Sequence, residues 1–141
     1  MTVAGRLLRQ QHAEGIHMGR ILRLMLIAAT VGSVASPAFA GNPAKGKAVF
    51  QAECSICHAI TANAPGIGPS LFGVVGRKAG SLPHYAYSSA MRAAAFDWTP
   101  AKLTAYVQAP QKVVPGDKMP YEGLKDPAKV ANLVAYLATL K

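Results

Sequence analysis

Cys54-Ser55-Ile56-Cys57-His58 holds both cysteines of this 141-residue chain and one of its four histidines. Cys-x-x-Cys serves three chemistries. A thiol–disulfide redox pair follows a strand in a βαβ setting, whereas the residues before Cys54 follow a helical pattern. A zinc knuckle needs four ligands, and the chain has no second cysteine pair. Covalent haem attachment uses both thiols, which add to the porphyrin vinyl groups, and the adjacent imidazole, which becomes the proximal iron ligand. The spacing suits that chemistry. Two thiols must reach two neighbouring vinyls, and the ring nitrogen of the next residue must fall under the iron. Haem is the favoured reading, the more so in an exported chain with no other cysteine.

Export is read upstream of the motif. Arg6, Arg9, Arg20 and Arg23, with a single acid at Glu14, precede an apolar run from Leu24 to Ala35 broken by Thr30, Gly32 and Ser33. The run closes on Ser36-Pro37-Ala38-Phe39-Ala40-Gly41, where Ala38-Phe39-Ala40 is a small-x-small cleavage site. Basic region, short apolar core and small-residue site predict a signal peptide over residues 1–40, with Met18 an alternative true start. An uncleaved anchor is the competing reading, but the run is short of the roughly 20 residues that span a bilayer. Cleavage leaves residues 41–141 as one domain, periplasmic and without stable membrane insertion. It carries nine Lys and two Arg against five acids, eleven less five, or +6. A domain this small is marginal without a staple.

Composition removes other classes. The whole chain has 15 Lys+Arg against 6 Asp+Glu and is 51% apolar, so it is basic but not disordered by composition. Two cysteines are too few for a disulfide scaffold. No Gly-x-x-x-x-Gly-Lys-Ser/Thr or Gly-x-Gly-x-x-Gly helix opening is present, so a nucleotide-phosphate cradle is unsupported. No paired acids or Ser/His/Asp set offers acid–base catalysis. Nucleic acid suits the charge alone and fails on export and on the lack of a binding motif.

A haem iron needs a sixth ligand or an open position. The candidates in 41–141 are Met91, Met119 and His84. Met119 lies in Val114-Pro115-Gly116-Asp117-Lys118-Met119-Pro120, a proline-bounded loop with a turn at Pro115-Gly116. A methionine between a lysine and a proline is poorly placed as a core filler, so Met119 is the expected ligand. Met91 sits in an alanine-rich helical stretch and reads as packing; His84, after Pro83, reads as a solvated loop residue.

The rest of the domain reads as all-α. Asn42-Pro43 opens a helix that runs through Lys47-Ala48-Val49-Phe50 toward Cys54. Gly46 and Phe50 share one face of it, and a glycine inside a helix costs about 0.5–1 kcal/mol, which marks close approach of another backbone. Asp126-Pro127 opens the last helix, where Val130, Leu133, Val134 and Leu137 follow helical spacing, joined by Tyr136 and Leu140. Its expected partner is the Gly46/Phe50 face. Thr99-Pro100 caps a helix over Ala101–Gln108, ended by Pro110, and Ser88–Ala95 is a short further helix. Thr61–Pro83 holds five glycines and three prolines and must be loop, able to wrap a flat apolar cofactor.

In this order the motifs resemble the class I c-type cytochromes, near mitochondrial cytochrome c and bacterial cytochrome c2, across residues 42–141. The likeness rests on Gly46-Lys47-Ala48-Val49-Phe50, Cys54-Ser55-Ile56-Cys57-His58, Gly68-Pro69-Ser70-Leu71-Phe72-Gly73, Gly76-Arg77-Lys78, Tyr85-Ala86-Tyr87, Trp98, Tyr106, Pro115-Gly116-Asp117-Lys118-Met119 and Leu133-Val134-Ala135-Tyr136-Leu137. It implies the cytochrome c fold, four to five helices around one covalent haem c. It implies thioethers at Cys54 and Cys57, axial ligands His58 and Met119, and the Pro69 carbonyl against the His58 imidazole. It places Arg77, Tyr87 and Trp98 near the inner propionate and Tyr106 beside Met119. Two departures stand out. Met91 occupies a position where the family often has Asn, and the loop between His58 and Pro69 is slightly shorter than in the mitochondrial proteins.

The resemblance implies a monomeric, high-potential electron carrier rather than an enzyme. Two protein ligands leave no open iron position, and a Met/His pair favours Fe(II). Expected partners are acidic faces of redox proteins, such as cytochrome bc1, an oxidase, a reaction centre or a periplasmic dehydrogenase. Lys47, Lys78, Lys112, Lys118 and Lys125 would steer them. A haem peroxidase with a labile Met119 and a gas-binding sensor or bound-subunit module are the alternatives.

Overall fold

Among the described residues, four of the five helices begin at a side-chain cap, three of which the sequence announces. The computed structural model describes residues 41–141. In α1 (Pro43–Glu53) the Asn42 side chain accepts from the Lys45 N–H, with Pro43 in the first turn. In α2 (Ser89–Ala93) Ser88 accepts from the Met91 N–H. In α3 (Pro100–Gln108) Thr99 accepts from the Lys102 N–H. A single turn, α4 (Pro110–Val113), follows without a side-chain cap. In α5 (Pro127–Leu137) Asp126 accepts from the N–H groups of both Ala128 and Lys129. Each such cap satisfies donors that a helix start leaves open and stabilises the helix by about 1 kcal/mol.

Two elements differ from the sequence expectation. Pro110 ends α3 as foreseen, but it also starts α4, because its fixed φ and missing N–H suit a first helical turn. The short helix after Ser88 stops at Ala93, not Ala95, since Ala94 is already extended at φ −67° and ψ 110°. The segment 61–83 forms no helix. Its one regular feature is an isolated antiparallel bridge between Lys78 and Asp97. Among the described residues there is no strand, and no helix is long and apolar enough to cross a membrane. The leader expected over 1–40 lies outside the described residues.

The frame is the crossing of α1 and α5. A Cβ on Gly46 would collide with the carbonyl of Asn132 and come within 2.7 Å of the Tyr136 Cβ. The missing side chain at Gly46 is what lets the two backbones meet. One turn later Phe50 stacks at a tilt on Tyr136, with ring centroids 5.7 Å apart. The Asn42 N–H, at the start of α1, donates to the Asn132 side chain at 2.7 Å, pinning the pair again. From α5, Val130, Leu133, Val134 and Leu137 are almost wholly buried, each contributing about 1.5–3 kcal/mol of transfer free energy. Leu103, Tyr106 and Val107 of α3 complete the same core.

Candidate functional site

Where Cys54 leaves α1, the chain coils through one irregular turn. The Cys57 and His58 N–H groups both donate to the Cys54 carbonyl, at 3.1 and 2.9 Å. That turn aims Cys54, Cys57 and His58 into one cleft of about 560 Å³, within the usual size range of cofactor sites. The opposite wall is the Met119 loop with Asp117, Lys118 and Pro120. The floor comes from Leu103, Tyr106, Val107, Leu133 and Leu137, and the remaining side from Pro69, Leu71, Val74, Arg77, Tyr87, Met91 and Trp98. All nine residues singled out by the sequence for this site therefore line one cleft. His84, by contrast, lies outside it, exposed on its loop at φ 62°.

The His58 imidazole is fixed from two sides. Its Nδ1 is 2.8 Å from the Pro69 carbonyl. A carbonyl only accepts, so Nδ1 carries the proton and Nε2 keeps its lone pair. Gly68 packs flat on the ring: a Cβ there would lie 2.6 Å from Nδ1 and 2.9 Å from Nε2. Burial, foremost, and the positive charge of Arg77 hold the ring below the usual histidine range, against the pull of the Pro69 hydrogen bond. The result is a neutral, oriented nitrogen donor, with its second nitrogen held by a backbone carbonyl as in metal-binding histidines.

The Cys54 thiol is not activated for redox exchange. Both cysteines are free. Burial, with Glu53 and Cys57 nearby, pushes the Cys54 thiol up to about 11, the reverse of the lowered values that activate Cys-x-x-Cys redox pairs. Among the described residues no three His, Cys, Asp or Glu side chains gather as a cation site. The redox-pair and zinc readings therefore lose their support. Two free thiols, an oriented imidazole and a thioether in one largely apolar cleft are a donor set that fits a covalently attached haem.

Around Met119 the polar contacts converge on Tyr106. Its hydroxyl donates to Asp117 and lies 3.6 Å from the Met119 sulfur. Burial and the Asp117 carboxylate push that phenol far above its usual range, so it stays a donor. The ring of Tyr106 meets Trp98 edge-on at 4.8 Å, and Trp98 meets Phe96 at 4.9 Å. Arg77 spends its guanidinium on the loop, donating to the carbonyls of Ser70 and Phe72 at 2.9 and 3.1 Å. Tyr87 is edge-on to Tyr85 at 4.7 Å, and its phenol is pushed up by burial, with Arg77 pulling the other way.

Several members of the site were not singled out in the sequence. Gly68, Tyr85 and Asp117 stood in the quoted motifs without a role, and Glu53 and Tyr121 reach the site through tertiary contacts that no local pattern encodes. Tyr85 donates to the Ile67 carbonyl at 2.8 Å, and Tyr121 to Glu53 at 3.2 Å. Burial and the Glu53 carboxylate push the Tyr121 phenol up to about 12. Met91 is buried, as its helical context foretold, and it also lines the cleft. Of the five lysines expected to steer partners, all are exposed, but only Lys118 lines the cleft.

The Cytochrome c family model matches residues 43–141, the whole of the helical domain. The chain belongs to the cytochrome c family. It is 48% identical over 101 residues to cytochrome c2 of Rhodopila globiformis, covering 72% of this chain and 95% of that protein. It is 42% identical over 121 residues to cytochrome c2 of Rhodomicrobium vannielii, covering 85% of this chain and 96% of that one. The solved structure of cytochrome cH from Methylobacterium extorquens is similar to 70% of the chain and 99% of its own length, with a TM-score of 0.65 and 41% identity. This cytochrome c is therefore class I and cytochrome c2-like, with an all-α fold. It is a haem-based electron carrier and not an enzyme.

Proposed function

We propose that this cytochrome c is a periplasmic, high-potential, one-electron carrier made from residues 41–141 after removal of a leader over 1–40. Cys54 and Cys57 would hold haem c through two thioethers, and His58 and Met119 would be its axial ligands. Bound haem c supplies an iron centre that gains and loses one electron. Everything else is the work of the chain.

The observation that supports the ligand assignment is the pairing of two pre-set donors across one cleft. Pro69 fixes the His58 tautomer at 2.8 Å, and Tyr106 addresses the Met119 sulfur at 3.6 Å. With His58 and Met119 both holding the iron, no position would be left for substrate or oxygen, which would suit electron transfer. A thioether opposite an imidazole favours the reduced state. The apolar walls disfavour the extra charge of the oxidised state. Arg77, Tyr87 and Trp98 would face the propionates. The first is tied to loop carbonyls, so it would contribute charge more than a free hydrogen bond.

The partners proposed are acidic faces of redox proteins, of the kind presented by cytochrome bc1, an oxidase, a reaction centre or a periplasmic dehydrogenase. Lys118 at the cleft, with Lys47, Lys78, Lys112 and Lys125 elsewhere on the surface, gives a field that speeds encounter with such faces and is screened by salt. The optical spectrum tests the site. The oxidised holoprotein is expected to show the weak far-red band of thioether-to-iron ligation, and the reduced protein to ignore carbon monoxide. Absence of the band together with carbon monoxide binding would remove Met119 from its place.

A further inference from the structure

The two sides of the Met119 loop are held very differently. On the N-terminal side Asp117 is bound by Tyr106, by the Gln111 side chain at 3.0 Å and by its own N–H to Val114 at 3.1 Å. On the C-terminal side, the backbone from Pro120 to Gly123 makes no hydrogen bond to another element among the described residues. The chain is next caught at Leu124, whose N–H donates to Val107 at 2.8 Å. Two side chains act across the gap: Lys125 donates to the carbonyls of Glu122 and of Gln108 on α3, at 2.8 and 3.2 Å, and Tyr121 reaches α1. The Tyr121 hydroxyl donates to the Glu53 carboxylate at 3.2 Å, joining residues 68 apart.

The bridge spans the cleft. Glu53 is the last residue of α1 and adjoins Cys54; Tyr121 follows Met119 by two residues; both line the cleft. The Tyr121 ring packs against the core, while Glu53 is exposed. An ionised carboxylate can only accept and a phenol can donate, so the hydrogen bond is charge-assisted.

We infer that the Tyr121–Glu53 hydrogen bond is a clasp that ties the Met119 loop to the end of α1 and holds the Met119 thioether in the cleft against competing ligands. The inference rests on the proposed role of Met119. Glu53 and Tyr121 are positioning residues, and neither is an iron ligand. An added ligand can replace Met119 only when the loop opens, so its apparent affinity scales with the open fraction. A hydrogen bond at this partly wet site, when lost, raises that fraction about fivefold.

The test is titration of the oxidised holoprotein with imidazole, following the far-red thioether band. Tyr121→Phe, which keeps the ring, and Glu53→Ala, which changes an exposed residue, are each expected to raise imidazole affinity about fivefold. The double variant is expected to go no further than either alone. Glu53→Gln keeps a carbonyl acceptor and is expected to have a smaller effect than Glu53→Ala. If the wild type shows the band but both single variants bind imidazole as it does, or their effects multiply, the clasp is wrong and the Met119 assignment stands. A wild type without the band overturns both.

Discussion

His58, the proposed proximal ligand, shows how much of a site lies outside the donor itself. The imidazole could rotate about two bonds, and each unproductive orientation would cost affinity for the iron. Pro69 removes that freedom with a 2.8 Å hydrogen bond, and Gly68 removes it again by lying against the ring face. Adding one methyl at Gly68 therefore tests the arrangement. In Gly68→Ala the new Cβ would lie 2.6 Å from Nδ1, well inside van der Waals contact, so either the ring or the loop must move. Overpacking of this kind costs about 1–3 kcal/mol. The expected outcome is a holoprotein with a lower denaturation midpoint and a lengthened or broken Pro69 contact, seen as a shift of the His58 ring resonances. A variant with unchanged midpoint and resonances would show that the ring is not pinned from that side.

At the scale of elements, the α1–α5 crossing depends on the same kind of missing atom. Gly46→Val would force a branched side chain into the Asn132 carbonyl and the Tyr136 side chain, neither of which can retreat without separating the helices. A loss of about 3 kcal/mol is expected, at the upper end for overpacking, and chemical denaturation of the holoprotein measures it. Gly46 was legible in the sequence, because a glycine inside a helix needs a reason and a close backbone is the commonest. The caps at Asn42, Thr99 and Asp126 were legible too, since a cap followed by helical residues is local chemistry. The start of α4 was not. Pro110 sends the same local signal for a stop and for a start, and only the chain beyond it decides. At the site, Cys54, Cys57, His58 and Met119 could be singled out from spacing and loop context, and the resemblance added the aromatic residues. Gly68 and Asp117 stood in the motifs without a role, and Glu53 and Tyr121 could not be singled out, because the fold alone brings them together from 68 positions apart.

For the whole molecule, the cleft and the core are one object. Val74, Met91, Trp98, Leu103, Tyr106, Val107, Leu133 and Leu137 belong to the buried cluster and also line the cleft. Their inner faces pack on neighbours and their outer faces look into about 560 Å³. If that space stayed dry and empty, the cavity would cost on the order of 10 kcal/mol at ~24 cal/mol per Å³. A domain of about 100 residues has only about 5–15 kcal/mol in total. Water entry lowers the cost of the void but wets apolar walls, and exchanges one loss for another. The closed form is therefore expected to need the group that fills the cleft, and thioethers at the two cysteines would make the filling permanent. Replacing both, in Cys54→Ser with Cys57→Ser, is expected to give a protein without covalent haem that has lost its near-ultraviolet dichroism and its cooperative unfolding transition. The helices α1 and α5 alone would not rescue it, since Leu133 and Leu137 of α5 face the cleft as well as α1. Recovery of a haem-free double variant with sharp, two-state unfolding would mean that the core closes by itself, and that the cleft is a site on a finished fold and not its missing centre.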